Sequence, residues 1–298
     1  MSSHTIFATL QTMRPPFLLL ALICVALGIA SAVAIGADIL ISKIILAIIG
    51  GLSAHIAVNC LNEYQDYNSG LDLATTRTPF SGGSGALVDT PSAAFSSHAV
   101  AIVCLTVSMA IGVYFAMSIG WGIVPLGLLG ITIIVSYTRW LNRFAYLCLI
   151  APGLAFGPLM ICGTHYVFSG DYSVPSLLIS MVVFFLANNL LLLNQFPDVE
   201  ADRQHGRNHL VIRHGFSVSI LVYIAFWLAS VIMLSICLAV AALPPGAAIG
   251  FLPLMLGAVV SVKLKEAHKH LDSLVPLMAI NVIMTLLTPA VIAVSLLV

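Results

Sequence analysis

The chain has 298 residues, of which 60% are apolar and 7% charged, and its formal net charge is zero. A soluble domain carries about 25% charged residues, so this composition excludes one and indicates a polytopic membrane protein. The balanced charge offers no global field for nucleic acid, and the basic residues carry meaning only by position.

Crossing a bilayer takes about 20 apolar residues. The candidate spans fall at roughly 15–36, 41–61, 97–117, 121–138, 144–163, 174–194, 217–241, 246–263 and 274–297. They predict an all-α membrane protein of nine transmembrane helices, a single domain over 1–298. The first run, from Pro15 to about Ile35, is too long for the core of a signal peptide and ends without a cleavage pattern. Turn residues separate several spans, notably Ser118-Ile119-Gly120, Ser169-Gly170-Asp171 and Leu243-Pro244-Pro245-Gly246. The cysteines Cys24, Cys60, Cys104, Cys148, Cys162 and Cys237 are scattered through apolar runs without a CxxC pair, as packing residues would be.

The loops are unequal. With the N-terminus and the loops after spans 2, 4, 6 and 8 on one side, that side holds Arg14, Arg77, Arg139, Arg143, Arg203, Arg207, Arg213, Lys263, Lys265 and Lys269. Lys43 alone lies opposite. The positive-inside rule then predicts an integral multi-pass protein, in the inner or plasma membrane if the cell is prokaryotic, with a cytoplasmic N-terminus. Glu63, Asp66, Asp72, Asp89, Asp198, Glu200, Asp202, Glu266 and Asp272 share the basic side, whereas Asp38 and Asp171 do not. Acids do little to set orientation, so this clustering predicts an active face at the cytoplasmic surface.

Two acidic stretches stand out. Asn62-Glu63-Tyr64-Gln65-Asp66 ends the second span, and Asp72 follows Gly70 beyond a predicted helix break. Asn194, Asp198 and Asp202 end the sixth span at intervals of four, which lines them along one helix face. Charges at membrane depth cost roughly 3 kcal/mol each and are usually functional. Magnesium takes oxygen ligands from a few carboxylates plus substrate phosphates, so two such helix ends facing one another would suit it and a diphosphate. Pro197 removes a backbone donor and should kink or restart the helix within the second stretch. Prolines and glycines from Pro152 to Gly163 predict an irregular fifth span.

The longest connection contains Arg77-Thr78-Pro79-Phe80-Ser81-Gly82-Gly83-Ser84-Gly85, whose backbone could approach an anion or serve only as a flexible linker. Arg139 and Arg143 follow the fourth span, and Arg203 and Arg207 the second acidic stretch, where a departing diphosphate would need positive charge. His205 and His209 lie in an arginine-rich loop unsuited to zinc. His55 and His165 read as packing residues.

Taken together, Asn59-x-x-Asn62-Glu63-x-x-Asp66-Tyr67-x-x-Gly70-x-Asp72 resembles the first aspartate-rich motif of the UbiA-type intramembrane prenyltransferases, nearest the 1,4-dihydroxy-2-naphthoate branch. Asn194-x-x-x-Asp198-x-x-x-Asp202 resembles the second, and Arg77 to Gly85 and Phe156-Gly-Pro-Leu159 resemble other segments. The likeness runs from about Arg14 to Gly215. It departs from the family pattern at Glu63, where aspartate is usual, at Arg139-Trp140-x-x-Arg143 after span 4, and at Arg207-Asn208-His209.

The resemblance implies a helical bundle around a central cavity open to lipid. It implies Mg2+ held by Asn62, Asp66, Asp72, Asn194, Asp198 and Asp202, with Asp66, Asp198 and Asp202 catalytic. Arg14, Asn59, Arg77, Tyr137, Arg139, Arg143, Arg203 and Arg207 would bind substrate. The partners implied are a polyprenyl diphosphate and an aromatic acceptor of the dihydroxynaphthoate kind, with 4-hydroxybenzoate, haem or a lipid as other acceptors. An ion-coupled transporter using the acids, or a lipid phosphotransferase, would be the competing classes.

Overall fold

The computed structural model describes residues 2–298, and these form helices joined by short loops, with no β-strand among them. Eight segments of the described residues are long and apolar enough to cross a membrane: Ser3–Val33, Ile41–Ser69, Pro91–Ser118, Ala145–Ser169, Val174–Asn194, Leu210–Ala239, Pro245–Ala267 and Leu271–Ser295. The remaining expected span is the 14-residue apolar helix Ile123–Ser136. At 1.5 Å per residue it reaches only about 21 Å, short of a hydrocarbon core of about 30 Å.

The first span starts earlier than its apolar run. Helix α1 (Ser3–Thr12) turns at Arg14, whose backbone is left-handed (φ 51°), and Pro15-Pro16 lead into α2 (Leu18–Val33). Helix α1 is hidden from hydropathy because its packing face is hydroxylic. Thr9 meets Ser96 at 2.8 Å and Thr12 meets Ser97 at 2.9 Å. Helix α3 (Ile41–Ser69) likewise runs past its expected end at 61 and carries the first acidic stretch as helix. It stops at Gly70, whose φ of 82° is one that glycine adopts readily.

Short helices α4 (Leu71–Ala74) and α5 (Ala86–Asp89) bracket the glycine-rich loop before α6 (Ala94–Ser118) and α7 (Ile123–Ser136). Helix α3 packs along α6. The fifth span is irregular, as its prolines predict: α8 (Ala145–Leu154) widens into a π-helical stretch at Ala155–Cys162 before α9 (Gly163–Ser169). Pro152 and Pro158 donate no backbone hydrogen bond to that ladder. Gly157 lets this stretch lie against α10 (Val174–Asn194), since a Cβ there would sit 2.7 Å from the Ser180 carbonyl oxygen.

The second half comprises α10, α11 (Val199–Gln204), α12 (Leu210–Ala239), α13 (Phe251–Leu254), α14 (Leu256–Ala267) and α15 (Leu271–Ser295). Apolar burial cannot drive helices together within lipid, so close packing and interhelical hydrogen bonds hold them. The Asn189 amide donates to the Tyr223 carbonyl at 2.9 Å, and the Tyr223 hydroxyl donates to Asn281 Oδ1 at 2.8 Å. Asn281 in turn donates to the Asn189 carbonyl, closing a ring across α10, α12 and α15. Tyr223 sits in an apolar core with Leu192, Leu193, Leu277 and Met278, while Cys24, Leu27, Leu186, Leu234 and Met284 belong to the largest core. All six cysteines are free thiols.

Candidate active site

The last turns of α3 present Asn62, Glu63 and Asp66, and the αL turn at Gly70 folds α4 back so that Asp72 joins them. On the opposite wall α10 stops at Asn194, and the chain restarts as α11 at Val199, just past Pro197. Asn194, Asp198 and Asp202 therefore do not share one continuous helix, yet they reach the same place. Asn62, Asp66, Asp72, Asn194, Asp198 and Asp202 all line one cavity of about 120 Å³, together with Arg14, Tyr137 and Arg207.

Arg207 crosses this cavity. Its Nη1 lies 3.0 Å from Asp202 Oδ1, and its Nη2 binds Asp66 Oδ1, so one guanidinium bridges both acidic stretches. Burial opposes its charge, but Asp66 and Asp202 more than offset this and hold it above the ordinary arginine range. Asp66 also accepts from the Asn62 amide at 2.9 Å, and His209 Nε2 lies 3.0 Å from Asp202 Oδ2. The loop carrying Arg207 is fixed by the Asn208 amide, which donates to the Asn142 carbonyl at 2.9 Å, and by a backbone bridge between Ala145 and His209.

Two acids stand apart electrostatically. Burial, then repulsion from Asp66 and Glu63, pushes Asp72 up to about 7. Burial, then repulsion from Asp202, pushes Asp198 up to about 7. Both are thus protonated well above the usual carboxylate range.

Glu63 is fully buried and faces away from this chemistry. Its Oε1 accepts from Arg14 Nε at 2.6 Å and from the Ser84 amide at 2.8 Å, and its Oε2 accepts from the Ser84 hydroxyl at 2.7 Å. The glycine-rich loop is therefore a docked element, not a free linker. Gly83, at φ 74°, passes between Asp72 and Glu63, where a Cβ would lie 3.1 Å from Asp72 Oδ1.

The donor set suits magnesium. Asn194 Oδ1 and Asp198 Oδ1 are buried without a hydrogen-bond partner, so two oxygens of the second stretch are available for a cation. Among the described residues no three acids, histidines or cysteines converge as a ready-made metal cage.

Below the polar cavity lies a larger apolar one of about 390 Å³, lined by residues such as Ile111, Phe115, Ile131 and Phe156. Arg14, Asn62, Tyr137 and Leu191 line both and form the boundary between them. Asn59 lines the apolar cavity and donates to the Met13 carbonyl at 3.0 Å, holding the chain just before Arg14. His55 packs edge-on against Phe156 with ring centroids 4.9 Å apart.

The other arginines go elsewhere. Arg77 lies 3.7 Å from Asp89, and Arg203 lies 3.5 Å from Glu200; neither lines these cavities. Arg139 and Arg143 line a third cavity, of about 460 Å³, on the far side of Asp66 and Arg207. Sequence reasoning gave Ser84, Asn142 and His209 no individual role in the site. Only His209 left a signal, since Gly206 predicts a turn that returns it toward Asp202.

Fold and site together define an integral-membrane helical bundle with a divided acidic centre set over an apolar cavity. The model of the UbiA prenyltransferase family matches residues 19–283, and the chain belongs to that family. A 1,4-dihydroxy-2-naphthoate octaprenyltransferase of Bacillus subtilis is 28% identical over 162 residues, 54% of this chain and 51% of that protein. The chain thus spans about half the length of that relative. The proteins of the same name from Haemophilus influenzae and Escherichia coli are 27% and 28% identical, over 67% and 70% of this chain and 70% and 68% of theirs. Among solved structures, a UbiA homologue of Aeropyrum pernix superposes with a TM-score of 0.68 at 16% identity, covering 89% of this chain and 94% of its own. A UbiA homologue of Archaeoglobus fulgidus bound to DMAPP and Mg2+ gives 0.65 at 16%, covering 96% and 99%. These two show a shared fold.

Proposed function

We propose that this protein transfers a polyprenyl group from its diphosphate to an aromatic acceptor of the 1,4-dihydroxy-2-naphthoate type, in the membrane and with Mg2+. One observation carries the reading: the oxygens of two acidic stretches about 130 residues apart in sequence meet in one cavity that opens onto an apolar one. An allylic diphosphate has the matching form, a charged head on an isoprenoid tail. The names of the naphthoate relatives support the acceptor. We read the whole chain as one catalytic domain, with its N-terminus and active face cytoplasmic on the distribution of arginine and lysine.

Magnesium held through Asn62, Asp66, Asp72, Asn194, Asp198 and Asp202 would supply Lewis-acid stabilisation of the diphosphate. Arg14 and Arg207, the basic residues lining that cavity, donate hydrogen bonds to its oxygens. The allylic C–O bond breaks with its electron pair going to the diphosphate, and the guanidinium groups stabilise that growing charge. The apolar walls keep water from the allylic cation until a ring carbon of the acceptor supplies the pair for the new C–C bond. The ring regains aromaticity by losing a proton, or carbon dioxide where the attacking carbon bears the carboxyl group. Tyr137, at the boundary of the two cavities, contributes its ring and hydroxyl where the cation forms.

The test is transfer from labelled octaprenyl diphosphate in membranes bearing the protein, with dihydroxynaphthoate and 4-hydroxybenzoate as acceptors. A prenylated naphthol product is expected, and Asp66→Ala and Asp198→Ala should abolish it. Full activity in both variants would remove the site assignment, and product from hydroxybenzoate alone would replace the acceptor.

A further inference from the structure

The apolar cavity holds a polar group that neither a diphosphate nor an isoprenoid tail would use. His55, on α3, is 8% exposed and lines the cavity wall. Its ring packs edge-on against Phe156, a contact that a hydrocarbon side chain would make equally well. Imidazole is a costly choice for packing alone, because its Nδ1 is buried without a hydrogen-bond partner. Among the described residues Nε2 is not closed off in this way, which puts it on the ring edge toward the cavity. That nitrogen donates or accepts according to tautomer, and a hydroxyl, which does both, pairs with it in either form.

The depth of His55 is informative. His55, Asn59 and Asn62 line the cavity from one face of α3, at i, i+4 and i+7. At 1.5 Å per residue, His55 lies about 10 Å below Asn62. An acceptor accounts for that interval. It runs from an allylic carbon just below the diphosphate, over a near-attack gap of about 3–3.5 Å, across the attacked ring to a hydroxyl, and through one hydrogen bond.

A second polar side chain lies at the same depth. Tyr64 stacks on His98 and Gly50 faces Ile111, so α3 and α6 run antiparallel with Ser108 about level with His55. Ser108 lines the same cavity. An isoprenoid has no group to pair with either.

We propose that His55 is a specificity-determining residue for the acceptor, its imidazole hydrogen-bonding a hydroxyl on the ring that is prenylated. The inference rests on the prenyl-transfer reading. It leaves the reacting carbon at Tyr137, which lines the same cavity. In 1,4-dihydroxy-2-naphthoate the 1-hydroxyl is engaged by the neighbouring carboxylate, so the 4-hydroxyl is the one that reaches His55.

The test compares wild type with His55→Leu and His55→Gln on two acids: 1,4-dihydroxy-2-naphthoate, and 1-hydroxy-2-naphthoate, which lacks the 4-hydroxyl. Binding of each is measured under argon on detergent-purified protein without prenyl diphosphate. KM values for the acceptors and for octaprenyl diphosphate are measured separately. Leucine keeps the contact with Phe156 but has no polar atom, and it should raise Kd and KM for the dihydroxy acid about tenfold. The monohydroxy acid should move by about twofold or less. Glutamine, which both donates and accepts, should restore most of the preference. KM for octaprenyl diphosphate should hold, and so should Tm, because an unpaired buried nitrogen has given way to hydrocarbon.

Equal weakening of both acids, or a fall in Tm with loss of both, would reduce His55 to a packing residue and overturn the proposal. So would a preference for the dihydroxy acid that is absent in wild type or survives in His55→Leu. Prenylation of dihydroxynaphthoate alongside any of these results leaves the transfer reading intact. If wild type prenylates neither acid, yet its tighter binding of the dihydroxy acid is lost in His55→Leu, the transfer reading falls and the hydroxyl contact stands.

Discussion

The Arg14 guanidinium closes on the Glu63 carboxylate, with Nε 2.6 Å and Nη2 2.5 Å from the same oxygen. Arg14 also reaches Asn62 Oδ1 at 3.3 Å, and the same carboxylate receives the Ser84 amide and hydroxyl. Three chain segments distant in sequence are thus joined through one buried anion. Where the UbiA pattern has aspartate, the extra methylene lets Glu63 satisfy the arginine and the loop together.

Removing that anion should loosen the loop. Glu63→Ala leaves Arg14 unneutralised and the Ser84 amide unpaired, a loss of about 3–5 kcal/mol for breaking a buried pair from one side. The loop from Arg77 to Gly85 should become sensitive to limited proteolysis, and prenyl transfer should fall. Glu63→Asp should lie between wild type and Ala in both. An unchanged cleavage pattern in Glu63→Ala would show that the loop is held by something else.

Arg207 predicts a different signature. Because it bridges Asp66 and Asp202, Arg207→Ala removes the neutralising charge between two acids and, on the proposed function, a donor to the diphosphate. A loss of about 10²–10³ in kcat is expected for one preorganised donor. Arg207→Lys keeps the charge but lacks the planar fork that spans both carboxylates, so rescue should be poor. Near-complete rescue by lysine would reduce the role of Arg207 to simple charge.

Asp72 and Asp198 make stability depend on pH. Each releases its proton at about 7 in the folded chain instead of the ordinary 3.8, so between these values the folded state holds more protons than the unfolded one. Their contribution to stability is full below the unfolded value and is lost as pH rises through about 7. In detergent without magnesium, Tm should therefore fall between about pH 5 and about pH 8.5, and Asp198→Asn should flatten the fall. Added magnesium, which binds the ionised carboxylates of the folded state, should restore Tm at the upper end. A Tm that rises over this interval would contradict the assignment.

Chain length should be tunable from the apolar cavity. Gly112 and Gly127 both line it, and a Cβ at either would meet nothing within 4 Å. Gly127→Leu fills that space with a side chain and should lower use of octaprenyl diphosphate relative to geranyl diphosphate. Equal losses for both donors would place the long tail elsewhere.

The sequence made the helical membrane fold and the two acidic stretches visible, because hydropathy and a spacing of four are local properties. Pro197 announced the restart at Val199 for the same reason: it lacks a donor wherever it sits. Partner choice was less accessible. Arg77, Arg139, Arg143, Arg203 and Arg207 look alike as loop arginines, but only Arg207 is carried into the cavity lined by both acidic stretches, by a loop pinned to Asn142 through backbone atoms. Such backbone pairing leaves no residue-type signature. Helix α1 escaped notice because three of its four buried side chains are threonines, Ala8 being the fourth. The span at Ile123–Ser136 was read correctly as apolar, yet composition says little about whether a short helix crosses on its own.

The boundary formed by Arg14, Asn62, Tyr137 and Leu191 gives the protein an interior counterpart of the lipid–water interface. Polyprenyl diphosphates are surfactants whose heads and tails are already sorted by depth in the bilayer. Such a molecule can pass sideways into the bundle at constant depth, with its head always among polar groups and its tail never wetted. The prenylated product, stripped of its head, has no reason to remain at that boundary and partitions back into the hydrocarbon. If the protein transfers prenyl groups from such diphosphates, as proposed, release is driven by the same sorting that loads the substrate.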